Sequence, residues 1–176
     1  MSFASYITLL RILLIIPVLY FIAVSEEYLA LILFVVAGLT DYLDGFIARK
    51  TKTETSLGAF FDLLADKLLV CLVLVWCAFI STSIIIIVPA LVIISRELII
   101  SSMRQFLVEK TGKNPIEVTY IAKSKTTIQI IAISFLILSP EMGESFYKVT
   151  VLLIWAAVFI SVYTLYNYLN SYKHYF

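Results

Sequence analysis

Apolar residues fall into six long runs, separated by five short polar or charged segments. The runs lie near 7 to 24, 28 to 48, 57 to 79, 84 to 107, 120 to 138 and 146 to 169. At about 1.5 Å per residue each is close to the roughly 30 Å thickness of a bilayer's hydrocarbon layer. None shows the period-two alternation of a barrel strand, so the pattern predicts helices. The breaks fall at Ser25 to Glu27, Lys50 to Thr55, Ser81 to Ser83, Glu109 to Glu117 and Ser139 to Ser145, each with turn or charge signals. Pro17 and Pro89 lie inside the first and fourth runs, where neighbouring helices can satisfy the carbonyls they free. With no repeat or linker, the expected architecture is one all-α integral membrane domain over residues 1–176, with six transmembrane helices.

Composition makes the bilayer the solvent. Of 176 residues 62% are hydrophobic and only 14% are charged, and the mean hydropathy is +1.03, well outside the range of soluble domains. The net charge of +1 hides an asymmetry. In a six-span arrangement Arg11, Arg49, Lys50, Lys52, Lys67, Arg96, Arg104, Lys110, Lys113, Lys123, Lys125 and Lys173 fall on or toward one side, and only Lys148 on the other. Basic residues collect on cytoplasmic flanks, so both termini and the second and fourth connections are expected in the cytoplasm. Arg11 lies too far along for a signal-peptide basic region, so the first run is expected to remain as a span. Cys71 and Cys77 are six apart in an apolar run, a spacing that suits packing better than metal or disulfide. Tyr163, Tyr166, Tyr168, Tyr172, Tyr175 and Phe176 read as an interfacial aromatic belt.

Four carboxylates resist a topological explanation. A charge at the centre of a span costs about 2.5–3.5 kcal/mol on insertion scales, yet the second and third runs hold Asp41, Asp44, Asp62 and Asp66. Asp41 and Asp44 are three apart and Asp62 and Asp66 four apart, so each pair shares a helix face. Asp44 and Asp62 lie about nine residues on either side of the connection near Thr53, or roughly 13 Å along each helix. If the two helices are antiparallel neighbours, the pairs meet at one depth in the cytoplasmic half of the membrane. Their repulsion then calls for a countercharge, and an all-oxygen donor set suits magnesium or manganese. The only histidine, His174, lies in the tail, which disfavours zinc or iron. Gly45, Ala48 and Gly58 are small enough to let backbone or ligand approach, although small residues also serve plain helix packing.

In this stretch the sequence resembles the CDP-alcohol phosphotransferase family, whose signature is D-x2-D-G-x2-A-R-x8-G-x3-D-x3-D. Asp41, Asp44, Gly45, Ala48, Arg49, Gly58, Asp62 and Asp66 match it completely. Thr8 and Arg11 fit the family's N-terminal pattern, whereas Ala4 and Ser5 depart from it. The run from Arg96 through Glu97 to Arg104, and the later Lys123 and Lys125, look like the bacterial phosphatidylglycerophosphate synthase branch. The resemblance implies transfer of a phosphatidyl group from CDP-diacylglycerol to sn-glycerol 3-phosphate at a cytoplasm-facing site within the membrane. It implies Mg2+ or Mn2+ on Asp41, Asp44, Asp62 and Asp66, with Asp66 also the general base. Thr8, Asp44, Gly45, Ala48, Arg49, Gly58 and Asp62 would bind the CDP-lipid, and Arg96, Arg104, Lys123 and Lys125 the acceptor phosphate. A homodimer among membrane lipids is implied, and nucleic acid is not an expected partner. Within the family the alternatives are cardiolipin synthase and phosphatidylinositol-phosphate synthase types. From another class, a cation transporter could also place carboxylates at midspan.

Overall fold

A computed structural model describes residues 3–51, 56–111 and 120–173, with side chains over 9–40, 64–110 and 126–173. The described residues form six α-helices and no strand: α1 Phe3–Ala23, α2 Glu27–Thr51, α3 Ser56–Ser81, α4 Ile84–Thr111, α5 Tyr120–Leu138 and α6 Glu144–Tyr172. Leu64–Ser81, Ile84–Lys110 and Glu144–Tyr172 are long and apolar enough to cross a membrane; Leu9–Ala23, Glu27–Thr40 and Thr126–Leu138 are shorter apolar stretches.

The apolar windows located the helices and missed some of their ends. Lys50 and Thr51 still belong to α2, and Glu109 and Lys110 to α4, although both segments read as breaks. Lys and Glu are good helix formers, so backbone helix continues after the apolar run has stopped. The rest of those two breaks, 52–55 and 112–117, lies outside the described residues.

Two connections carry their own local logic. After α1, the Glu26 N–H donates to Phe21 O at 2.9 Å and the Ser25 N–H to Ile22 O at 3.3 Å, with Ser25 left-handed at φ 59°. This is a Schellman termination with serine where glycine is the usual residue. After α3, Thr82 turns the chain at φ 49°, and Ser83 O receives the N–H groups of Ile86 and Ile87 to open α4.

Pairings along the helices give their directions. Arg11 meets Thr40 across α1 and α2, and Thr150 Oγ1 reaches Phe135 O across α5 and α6, so both pairs are antiparallel. Between α4 and α6, Ile85 meets Trp155 and Arg96 meets Thr164, so these two run parallel. α1 packs extensively on both α2 and α3, which touch each other directly over a shorter stretch. α6 packs on α4 and α5, and α5 closes against α2 and α3.

The core repeats at three and four residues: Ile15, Val18 and Ile22 on α1; Ala30, Phe34 and Ala37 on α2; Val70, Val73, Leu74 and Cys77 on α3. Outward faces are also apolar, as Leu13, Ile16, Phe79, Leu152 and Phe159 show. Helices apolar all round suit a bundle whose surroundings are lipid. Cys77 belongs to the core, Cys71 is half-buried, and the two form no disulfide. Pro89 cannot donate to Ile85 O, and the Trp155 indole does so instead, at 3.3 Å.

Candidate active site at the basic end of the bundle

Helical register sorts the polar side chains by depth. Arg11 and Thr40 each lie about 14 residues from the α1–α2 turn, and Lys67 and Arg96 about 14 or 15 from the α3–α4 turn. Each is therefore roughly 21 Å from that end of the bundle. The charged residues of the sequence motifs thus share a layer toward the opposite end, with apolar packing beneath.

Arg11 is only 1% exposed, wedged where α1 packs on α2 and α3. Its Nε donates to Thr40 Oγ1 at 3.4 Å, and the Thr40 hydroxyl donates to Ala37 O at 2.7 Å. This contact anchors the turn of α2 immediately before Asp41. A buried guanidinium is tolerated only where its donors find acceptors, so its place beside the carboxylate helix is structural as well as electrostatic.

Asp41 and Asp44 lie on α2, and Asp62 and Asp66 on α3. Asp66 is half-buried; the side chains of Asp41, Asp44 and Asp62 lie outside the described residues. So do those of Thr8, Gly45, Ala48, Arg49 and Gly58, all on α1 to α3, and of Lys123 and Lys125 on α5. Among the described residues no three His, Cys, Asp or Glu side chains converge. The donor set that α2 and α3 offer is nonetheless wholly carboxylate and suits a hard divalent ion. Gly38, one turn before Asp41, has open space where a Cβ would stand, so no close approach depends on it.

Of the basic residues, the side chains of Lys67, Arg96 and Arg104 are described. Arg96 is 8% exposed and splits its fork: Nη1 pairs with Glu97 Oε1 at 3.2 Å, and Nη2 donates to Thr164 Oγ1 at 2.9 Å. Thr164 in turn donates to Ser161 O at 2.8 Å. Glu97, for which the sequence suggested no role, therefore orients Arg96. Arg104 lies two turns on, within electrostatic reach of Arg96 and beside Tyr168. Lys67, half-buried on α3, lies within electrostatic reach of both arginines and of its own neighbour Asp66. Three cations from two helices thus form one electrostatic cluster, and the peptide Asp66–Lys67 joins it to the carboxylate motif.

The sequence motifs had picked out Arg96 and Arg104 but not Lys67 as part of this cluster. Its unusual depth in an apolar run was the available signal. Tyr168 departs from the aromatic belt: its hydroxyl is buried, whereas Tyr163 and Tyr166 are exposed as a belt requires. Six aromatic positions crowd the end of the sequence, and composition alone does not distinguish the inward one.

The family model described as CDP-alcohol phosphatidyltransferase matches residues 1–163. Curated relatives cover nearly the same length. A Rickettsia bellii protein is 36% identical over 98% of this chain and 96% of its own. One from Pectobacterium atrosepticum is 38% identical over 83% of this chain and 79% of its own. One from Shigella flexneri serotype 5b is 33% identical over 95% and 92%. All three carry the name CDP-diacylglycerol--glycerol-3-phosphate 3-phosphatidyltransferase.

Proposed function

The chain belongs to the CDP-alcohol phosphatidyltransferase family, and from that premise we propose that it transfers the phosphatidyl group of CDP-diacylglycerol to sn-glycerol 3-phosphate. The products are CMP and phosphatidylglycerophosphate, an intermediate of phosphatidylglycerol synthesis. The observation that carries this reading is the cluster of Lys67, Arg96 and Arg104 beside Asp66. A phosphorylated acceptor needs cations next to the base, and this arrangement supplies them.

Thr8, Asp44, Gly45, Ala48, Arg49, Gly58 and Asp62 hold the CDP-lipid. Asp41, Asp44, Asp62 and Asp66 would hold magnesium or manganese, which when bound would supply charge neutralisation at the pyrophosphate. Arg96, Arg104, Lys123 and Lys125, joined by Lys67, grip the acceptor phosphate through charge-assisted hydrogen bonds. The acceptor hydroxyl loses its proton to the Asp66 carboxylate as its oxygen bonds to the lipid-bearing phosphorus, and the bond from that phosphorus to the CMP oxygen breaks. Arg11 keeps α2 in register through Thr40, and Glu97 and Thr164 keep Arg96 aimed.

All six helices span the bacterial inner membrane, and both termini are cytoplasmic. α1, for which 21 residues are helical, reaches about 31 Å, enough to cross. The site then lies in the cytoplasmic half, open to soluble glycerol 3-phosphate and to lipid. The functional unit is a homodimer, for which Leu72, Val75 and Phe79 on α3 offer an apolar outer stripe.

The test is purified protein in lipid vesicles with CDP-diacylglycerol, labelled glycerol 3-phosphate and Mg2+ or Mn2+. Equal CMP and labelled lipid are expected, both abolished by a chelator. Absence of metal-dependent CMP release with this pair sinks the reading, and release only with inositol phosphate or phosphatidylglycerol moves the chain to another acceptor. Asp66→Asn should abolish transfer while CDP-lipid binding survives.

A further inference from the structure

The family match stops at residue 163, within the set of polar side chains that α6 turns toward the basic cluster, so that Thr164 and Tyr168 lie beyond it. Ser161, Thr164 and Tyr168 follow three- and four-residue spacing and so share one face. Ser161 is wholly buried, whereas Val162, Tyr163 and Tyr166 beside them are exposed. Thr164 accepts the Arg96 hydrogen bond, and Tyr168 stands beside Arg104. This face of α6 is therefore a wall of the basic cluster.

That wall is incompletely satisfied. Arg96 Nε and Arg104 Nε are buried without a hydrogen-bond partner, and the buried Tyr168 hydroxyl has only the donor Arg104 beside it, so its own O–H has no acceptor. Each can donate, the first two only donate, and all three lie within one cluster of positive charge. Buried donors left unmatched are costly, and a ligand with several anionic oxygens is what would match them. A phosphate monoester has that form.

We propose that Tyr168 donates directly to the phosphate of the accepting alcohol and that Thr164 is a positioning residue that holds Arg96 for the same phosphate. The last helix thereby selects a phosphorylated acceptor over a neutral one. This rests on the acceptor reading above and adds a part of the chain to it. Thr164 fixes one arm of the Arg96 fork and Glu97 the other, leaving Nε as the donor without a partner. Tyr168 supplies a donor that is neutral at physiological pH, placed next to a fixed cation.

The experiment is a steady-state comparison of Tyr168→Phe, Thr164→Val, Thr164→Ser and the exposed-face control Tyr166→Phe. Tyr168→Phe and Thr164→Val should each raise the KM for glycerol 3-phosphate about tenfold, the usual scale of one hydrogen bond to a charged group, with the KM for CDP-diacylglycerol unmoved. Inorganic phosphate should lose potency as a competitor in parallel. Thr164→Ser keeps the hydroxyl and should restore the wild-type KM, and Tyr166→Phe should match wild type. An unchanged acceptor KM in Tyr168→Phe, or equal rises for both substrates, overturns the proposal. Should Tyr168→Phe fail to fold, the Val and Ser variants at 164 decide it: equal KM values for the two overturn it. A wild-type protein that does not use glycerol 3-phosphate overturns the acceptor reading and this proposal together, whereas an active wild type with unaffected variants overturns this proposal alone.

Discussion

Arg96 on α4 donates from Nη2 to the Thr164 hydroxyl on α6 at 2.9 Å, and the Thr164 hydroxyl donates its own hydrogen bond to Ser161 O at 2.8 Å. Arg11, Thr40 and Ala37 O repeat the arrangement between α1 and α2. In both places a threonine occupies its donor on its own helix and leaves a lone pair for a buried arginine of the next. The hydroxyl is thereby satisfied and the guanidinium held, which a valine of the same shape cannot do.

Arg96→Lys keeps the charge and loses the fork. A lysine cannot span Glu97 and Thr164 while presenting a third donor, so kcat/KM for glycerol 3-phosphate should fall about a hundredfold, on the order of two charge-assisted hydrogen bonds. Initial rates at varied acceptor, with the unfolding midpoint as a control, check it. A lysine variant within a few-fold of wild type would show that charge alone suffices.

Thr40→Val removes the acceptor of Arg11 Nε in a buried setting. The expected cost is about 1–3 kcal/mol of stability, with activity lost as the α2 turn before Asp41 loosens. Thr40→Ser should keep most of both. Denaturant unfolding in one detergent compares them, and equal stability of the two variants would contradict the account.

Trp155 and Pro89 should be coupled through Ile85 O. Trp155→Phe should cost about 1 kcal/mol in the native background and clearly less beside Pro89→Ala, where a backbone N–H is again available to that carbonyl. A double-mutant cycle on unfolding free energies measures the difference. Additive effects would mean that the indole serves packing alone.

Ser25 and Thr82 adopt left-handed backbone at φ 59° and 49°, where a Cβ is unfavourable and a β-branched residue more so. Ser25→Gly should raise stability by up to about 1 kcal/mol and Thr82→Gly by at least as much, because the relief of strain exceeds the added freedom of the unfolded chain. Thermal midpoints test the sign. A lower midpoint for both would show that the hydroxyls matter more than the torsions.

Six helices were legible in the sequence because each carries a long apolar run, and such runs stand out against the polar segments between them. Their ends were less so: Lys50 and Glu109 look like breaks and are helical, since hydropathy follows the solvent boundary whereas helix follows backbone hydrogen bonding. The aspartates were legible for a different reason. Asp41, Asp44, Asp62 and Asp66 sit close together in sequence, on two helices joined by a short connection, and helical periodicity assigns each pair to one face.

The described part of the basic cluster comes from α3, α4 and α6, and residues as far apart as Lys67 and Tyr168 have no sequence relationship to reveal their meeting. Glu97 had no visible task until Arg96 was seen to use it, and Tyr168 looked like its exposed neighbours Tyr163 and Tyr166. The sequence alone determined a membrane-embedded helical chain with a carboxylate motif, because hydrophobicity and local periodicity are carried by neighbouring residues. Only the tertiary structure decided which cations face one another and which hydroxyls hold them, because those contacts depend on how separate helices are rotated and paired.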